Sequence, residues 1–163
     1  MGSVYVRDEW LSSWADADAD CQNTRHEVLI AEADGPLSFG PGACSVTAGV
    51  WNDPYTATTF TNPSDIDIDH MVPLADAHRS GGWQWSTTRK RQYANDLDHP
   101  ETLIAVDDAS NSSKSDKSPD QWLPPNASYH CAYAIDWIIV KTTWTLTVTS
   151  AERTALDQIL QRC

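Results

Sequence analysis

Asp67-Ile68-Asp69-His70-Met71-Val72-Pro73-Leu74 decides how this chain is read. From Asp65 to His70 apolar and acidic residues alternate, the two-residue period of a strand with one face toward a core. The strand delivers a histidine and an adjacent carboxylate together at its end. Downstream, Leu103 to Val106 reads as a buried strand, and Asp108 to Ser115 has the small polar residues of a short helix. That helix carries Asn111-Ser112-Ser113-Lys114, which adds an amide oxygen and a cation.

Other segments extend outward from this pair of strands. Residues 4–15 carry Trp10, Leu11 and Trp14 at helical spacing. Thr24 to Ala33 reads as a helix opened by a capping box, Thr24 with Glu27. Pro36 to Pro41 is loop, Ser45 to Trp51 a strand, and Thr58 to Thr61 a short extended stretch. Leu74 to Arg79 is expected to be helical and to stop at Gly81-Gly82, and Ser86 to Leu97 to be an exposed helix. Tyr129 to Trp144 is the longest helical pattern, with Ile135, Ile138 and Ile139 expected to face a core. Thr149 and Glu152 form a capping box for a last helix running to Cys163. No repeat or linker divides the chain, so 1–163 reads as one α+β domain, with 1–3 an expression scar.

Composition bounds the function. With 163 residues, 40% hydrophobic, eight Trp and five Tyr, the chain can bury a sizeable core. No apolar run is long enough to span a bilayer, so no membrane partner is expected. The chain opens on no signal peptide, but a scar at that position is consistent with a leader already removed. A net charge of −12 argues at first sight against phosphate binding. Position matters more than the sum. Arg79, Arg89, Lys90, Arg91, Lys114 and Lys117 cluster around the candidate site, whereas only Arg7 and Arg25 precede His70.

Cys21, Cys44, Cys131 and Cys163 form no CxxC pair, which disfavours a zinc knuckle. An even count at wide spacing reads as two disulfides and an oxidising, extracellular compartment, the alternative being four buried thiols. Of the three connectivities, Cys21–Cys44 and Cys131–Cys163 are favoured, because each closes a local loop around a predicted helix.

The residue types of the central motif suit phosphodiester hydrolysis. Water must lose a proton as it attacks, and a histidine can take it. The charge of the phosphorane and of the leaving oxygen must be stabilised, which a divalent cation can do. Mg²⁺ keeps much of its water, so one carboxylate and one amide oxygen can hold it. Asp69, His70 and Asn111 provide that set.

Asp-x-Asp-His-x-Val-Pro-Leu, followed by Leu-Ile-Ala-Val-x-x-x-x-Asn-x-x-Lys-x-Asp-Lys, resembles the HNH, or ββα-metal, nucleases. The closest branch comprises small secreted bacterial HNH-family proteins and the nuclease half of modification-dependent restriction enzymes. The similar stretch runs from Thr24 to Trp144 and includes Asp53-Pro54-Tyr55, Ala94-Asn95-Asp96-Leu97 and Trp122-Leu123-Pro124-Pro125. The resemblance implies a β-hairpin, Ile66–His70 with Leu103–Val106, and the helix bearing Asn111 packed across it. It implies His70 as general base, Asp69 and Asn111 as ligands of Mg²⁺ or Mn²⁺, and Lys114 contacting phosphate or holding the loop. One departure is Thr102, where many HNH proteins carry an Asn that orients the base histidine. A Thr hydroxyl or a backbone carbonyl would then have to do so.

Other residues have two readings. Asp67 shares a strand face with Asp69 and supports the metal or the imidazole, or is a solvated carboxylate. Arg25 has an internal salt bridge as its default and a phosphate contact as the sharper reading. Arg89 and Arg91 are either a solvated helix face or a DNA-backbone contact. Asp16, Asp18, Asp20, Thr24 and Glu27 fall on positions of a calcium loop, but Cys21 stands where the sharp turn wants Gly. A structural Ca²⁺ site is the sharper reading there and a solvated acidic junction the default.

The expectation is a secreted, monomeric, metal-dependent endonuclease acting on DNA, or RNA, with little sequence preference, since no reading helix or recognition domain is visible. The alternative is a non-catalytic secreted binding module on a degenerate nuclease scaffold.

Overall fold

The fold, a computed structural model, describes residues 3–163. Met1 and Gly2 of the expected scar lie outside the described residues. In chain order come α1 (Arg7–Trp10), α2 (Thr24–Ala31), β1 (Ser38–Phe39), β2 (Val46–Ala48), β3 (Trp51–Asp53), β4 (Thr58–Phe60) and β5 (Ile66–His70). Then follow α3 (Leu74–Arg79), α4 (Thr87–Ala94), β6 (Leu103–Asp107), α5 (Asp108–Lys114), α6 (His130–Thr143) and α7 (Ser150–Leu160). The strands form three antiparallel ribbons, β1–β2, β3–β4 and β5–β6.

The β5–β6 ribbon organises the rest. Ile66 pairs with Asp107, Ile68 with Ala105 and His70 with Leu103. The two-residue period then divides the ribbon's side chains. Ile66, Ile68, Leu103 and Ala105 face a core with Val28, Leu29, Val46 and Trp51, supplied by α2 and the small ribbons. Val106 and Ile104, on the other face, join a second core of Trp10, Tyr55, Tyr93, Tyr133 and Trp137. Asp67 and Asp69 lie on that second face, opposite Val106 and Ile104. The connection from Met71 to Thr102 carries α3 and α4, and the ladder passes directly from β6 into α5, with Asp107 capping the Ser110 N–H.

Disulfides join Cys21 to Cys44 and Cys131 to Cys163. The second ties the start of α6 to the residues just after α7. Among the described residues no helix is long and apolar enough to cross a membrane.

Three local expectations are corrected. The cap of α2 is Asn23, which accepts from the His26 N–H, while the Thr24 hydroxyl donates to the Ala15 carbonyl instead. The predicted helix over 4–15 shrinks to the single turn of α1, since Trp10 and Leu11 are buried by packing, not by a continuous helical face. On α6, Ile135, Ile138 and Ile139 are 47%, 37% and 36% exposed, and Tyr133, Ala134, Trp137 and Val140 fill the core. The aromatic stripe takes the inside because it buries more apolar surface per residue. The capping box at Thr149 and Glu152 is present as expected.

Glu32, just after α2, accepts from the Ala105 N–H at 2.8 Å and closes part of the outer edge of β6. Burial raises its carboxyl to about 7, with the Ala105 bond opposing and Asp34 adding to the rise. The folded state therefore holds a proton that the unfolded chain releases near its ordinary value. Stability from this group is greatest at low pH and is lost as pH rises through that window. Between about pH 5 and about pH 8 the stability of the wild type should fall relative to that of Glu32→Gln by on the order of 2 kcal/mol, read from urea titrations of both. Replacing Cys131 and Cys163 together by serine should lower unfolding free energy by about 3 kcal/mol, read from the same titrations.

Candidate active site at the end of the β5–β6 ribbon

Asp69 is anchored on one oxygen. Its Oδ2 accepts from the Tyr55 hydroxyl at 2.6 Å and from Lys114 Nζ. Lys114 is 0% exposed, and its Nζ also donates to the carbonyls of His70 and Met71 at 2.9 Å each. All three ammonium protons are thus committed. Burial raises the Asp69 carboxyl and lowers the Lys114 ammonium, and their mutual attraction opposes both shifts. The pair is an ion pair, because each partner would otherwise be an isolated buried charge. Of the two roles expected of Lys114, the structure shows the one that holds the loop: its donors are all turned to the corner after β5. No donor among the described residues reaches Asp69 Oδ1.

Asn111 lies one turn into α5, over the acidic face of β5. Its Nδ2 donates to Asp67 Oδ2 at 3.1 Å. A carboxylate only accepts, so this bond fixes which way the amide is turned and leaves Asn111 Oδ1 free for another partner. Asp67 therefore acts on the amide and not on the imidazole.

His70 is buried beside two near-parallel rings. Trp14 has its centroid 5.7 Å away with planes 10° apart, and Tyr93 lies at 6.1 Å and 23°. Nε2 is 3.0 Å from the Ala94 carbonyl, which can only accept. The proton of the neutral ring is therefore on Nε2, and Nδ1 keeps its lone pair. Burial pushes the imidazole down to about 4; the Ala94 bond opposes this, and the charges of Arg7 and Lys114 add to it. The Ala94 carbonyl is available because it ends α4, where carbonyls lack intrahelical partners. Thr102 does not orient the ring. Its hydroxyl donates to Asp96 Oδ2 at 2.9 Å, as does Trp144 Nε1 at 3.0 Å. The Thr102 carbonyl accepts from the Met71 N–H at 3.0 Å, which closes the ribbon.

A cavity of about 410 Å³ opens at the end of β5, and Asp69, His70 and Asn111 all line it, with Tyr5, Arg7 and Asp116. The expected basic contacts lie elsewhere. Arg25 donates to the carbonyls of Pro63 and Ile66 at 2.8 and 2.7 Å, at the opposite end of β5. Arg89 covers the Trp85 ring at 4.9 Å. Arg91 lines a separate groove with His99 and Trp144. None of the three lines the cavity. Sequence reasoning missed Tyr55, Trp14 and Arg7, and expected a backbone carbonyl for the histidine without saying that it is Ala94's. Tyr55 and Ala94 stand in the motifs Asp53-Pro54-Tyr55 and Ala94-Asn95-Asp96-Leu97, whereas a distant stacking ring leaves no signal.

The donors fit a hard divalent cation. Asp69 Oδ1 and Asn111 Oδ1 have no hydrogen-bond donor among the described residues, both residues line the cavity, and the space admits an ion that keeps several waters. The acidic loop is separate. Side-chain oxygens of Asp16, Asp18 and Asp20 lie within 4.8 Å of one another, all exposed. Asp16 accepts from the Cys21 N–H at 3.0 Å and Asp20 from the Gln22 N–H at 2.7 Å, so these carboxylates hold the loop's own backbone. Burial raises the Glu27 carboxyl, and the three aspartates add to the rise.

The family of the C-terminal domain of GmrSD restriction endonucleases matches residues 39–159, which include β5, β6, α5 and every residue named above on them. A protein of Arthroderma benhamiae described as an uncharacterized secreted protein is 44% identical over 159 residues, 98% of this chain and 76% of that protein. No solved structure matches. With most of its length matched, the chain belongs to the family of the C-terminal domain of GmrSD restriction endonucleases.

Proposed function

We propose that this chain is a secreted, metal-dependent endonuclease of the ββα-metal type, cutting DNA with little sequence preference. The observation that carries the reading is the shared cavity, where His70 turns an unprotonated Nδ1 and Asp69 and Asn111 offer unclaimed oxygens. Asp69 Oδ1 and Asn111 Oδ1 would hold one Mg²⁺ or Mn²⁺. When bound, the ion supplies charge stabilisation at the phosphorane and at the departing 3′ oxygen.

The residues do the rest. Burial keeps His70 neutral at physiological pH, the state in which it can accept a proton. The approaching phosphate and the nascent hydroxide are negative, so they raise the ring's proton affinity when substrate is present. Trp14 and Tyr93 stop the ring from tilting, and the Ala94 carbonyl balances the charge it gains. His70 Nδ1 takes the proton of the attacking water, and the product keeps a 5′-phosphate. Lys114 neutralises Asp69 from behind, leaving the front oxygen of the carboxylate for the cavity. Two disulfides and the secreted relative support an extracellular site of action.

Plasmid DNA should be degraded with Mg²⁺ or Mn²⁺ and protected by chelator. His70→Ala should lower the rate by about 10²-fold or more while thermal unfolding stays that of a folded protein. Undiminished cleavage by that variant refutes the assignment.

One observation favours the second reading, a non-catalytic module: the Lys114 ammonium already supplies Asp69 with a counter-charge. Calorimetry separates the two. A nuclease should bind about one Mn²⁺ per chain, and Asn111→Ala should weaken that binding severalfold. A module that has lost its chemistry should show no such heat.

A further inference from the structure

Besides β5, α5 and the turns beside them, the cavity is lined by Tyr5 and Arg7, from residues 3–15, which precede the family match at residue 39. This strap is held firmly. The Ser3 carbonyl is 2.7 Å from His78 Nε2, Glu9 pairs with buried Lys90 at 2.6 Å, and the Ala15 N–H donates to Asn95 Oδ1 at 2.9 Å. Trp10 is wholly buried between these anchors. The strap places Trp14 on His70 and sets Arg7, exposed, on the cavity wall.

Arg7 is the one Lys or Arg on that wall among the described residues. It makes no ion pair with any carboxylate among them, in a chain with 23 acidic and 11 basic residues. The guanidinium lies against the Tyr5 hydroxyl, and the carboxylates on that wall are taken. Asp116, on the same wall, pairs with Arg79 at 2.7 Å, and Asp69 pairs with Lys114. Arg25 is spent on carbonyls, Arg89 on a ring and Lys90 and Lys114 on ion pairs, and Arg91 lines a separate groove. A phosphodiester entering the cavity presents two non-bridging oxygens, and a guanidinium matches them with two parallel donors.

We propose that Arg7, presented by the N-terminal strap, is the phosphate-binding residue of this active site and grips the scissile phosphodiester from the side opposite Asn111. This rests on the nuclease reading above. His70 and the oxygen donors then act on a phosphate whose position the strap fixes, so the site is complete only with a segment outside the matched domain.

The test uses the intact chain. Binding of a fluorescent duplex is followed by anisotropy across a salt series in the His70→Ala background, and turnover is measured in the wild-type background. Arg7→Gln should weaken binding and lower kcat/KM by about tenfold or more, with Arg7→Lys recovering part of each. The slope of log affinity against log salt should shrink by about 0.9 in Arg7→Gln, the loss of one phosphate contact. Arg153→Gln, on the exposed face of α7, should change neither. If the wild type cleaves but Arg7→Gln keeps its salt slope and kcat/KM, the phosphate role is overturned while the nuclease reading stands. If the wild type neither binds nor cleaves duplex or single-stranded DNA with Mn²⁺ present, both are overturned.

Discussion

Lys114 carries an ammonium group into the interior and finds four oxygens waiting: Asp69, the carbonyls of His70 and Met71, and, at 3.5 Å, the Tyr55 hydroxyl. Desolvating such a charge costs several kcal/mol, and only complete pairing offsets it. The consequence is geometric. One atom joins the last turn of α5 to the end of β5 and to the corner that leads into α3. It adds to the relation that the β5–β6 ladder and the Asn111–Asp67 bond already set between the strand end that bears His70 and the helix that bears Asn111. The same bonds orient the Asp69 carboxylate, with one oxygen held inside and the other left toward the cavity.

Around that pair the ribbon lies between two apolar cores, and this arrangement separates the tasks of neighbouring residues. Asp69 and His70 are adjacent in sequence and so point to opposite faces. Asp69 meets the charged, hydrogen-bonded side under α5. His70 meets aromatic rings and a helix-terminal carbonyl. One environment keeps an anion in place, and the other keeps an imidazole neutral. They share a cavity only because β5 ends there, where the division into faces lapses.

Much of this was legible in the sequence because it is local. Alternation from Asp65 to His70 gave β5, the apolar run gave β6, and small polar residues gave α5, since periodicity reports how each segment meets a core. The pairing Cys21–Cys44 and Cys131–Cys163 followed from loops closed around nearby helices. The errors share a different cause. Lys114 and Arg25 each had a phosphate contact as one of two readings, yet burial and carbonyl partners decide where a cation's protons go. Of the two ways left open for orienting the histidine, a backbone carbonyl, that of Ala94, took the task, and the Thr102 hydroxyl turned to Asp96. Ile135, Ile138 and Ile139 have the right spacing for a core face and lost it to larger aromatic residues on the same helix.

The sequence by itself determined the elements, their order, the presence of an acid–histidine pair at a strand end and the amide that follows it. Only the tertiary structure decided which atoms of those residues remain free. Long-range partners made that choice: Tyr55 and Lys114 claimed one oxygen of Asp69, Ala94 claimed one nitrogen of His70, and Asp67 turned the amide of Asn111. Hydrogen bonds saturate and have direction, so what a side chain can offer a substrate is whatever its distant neighbours have not already taken.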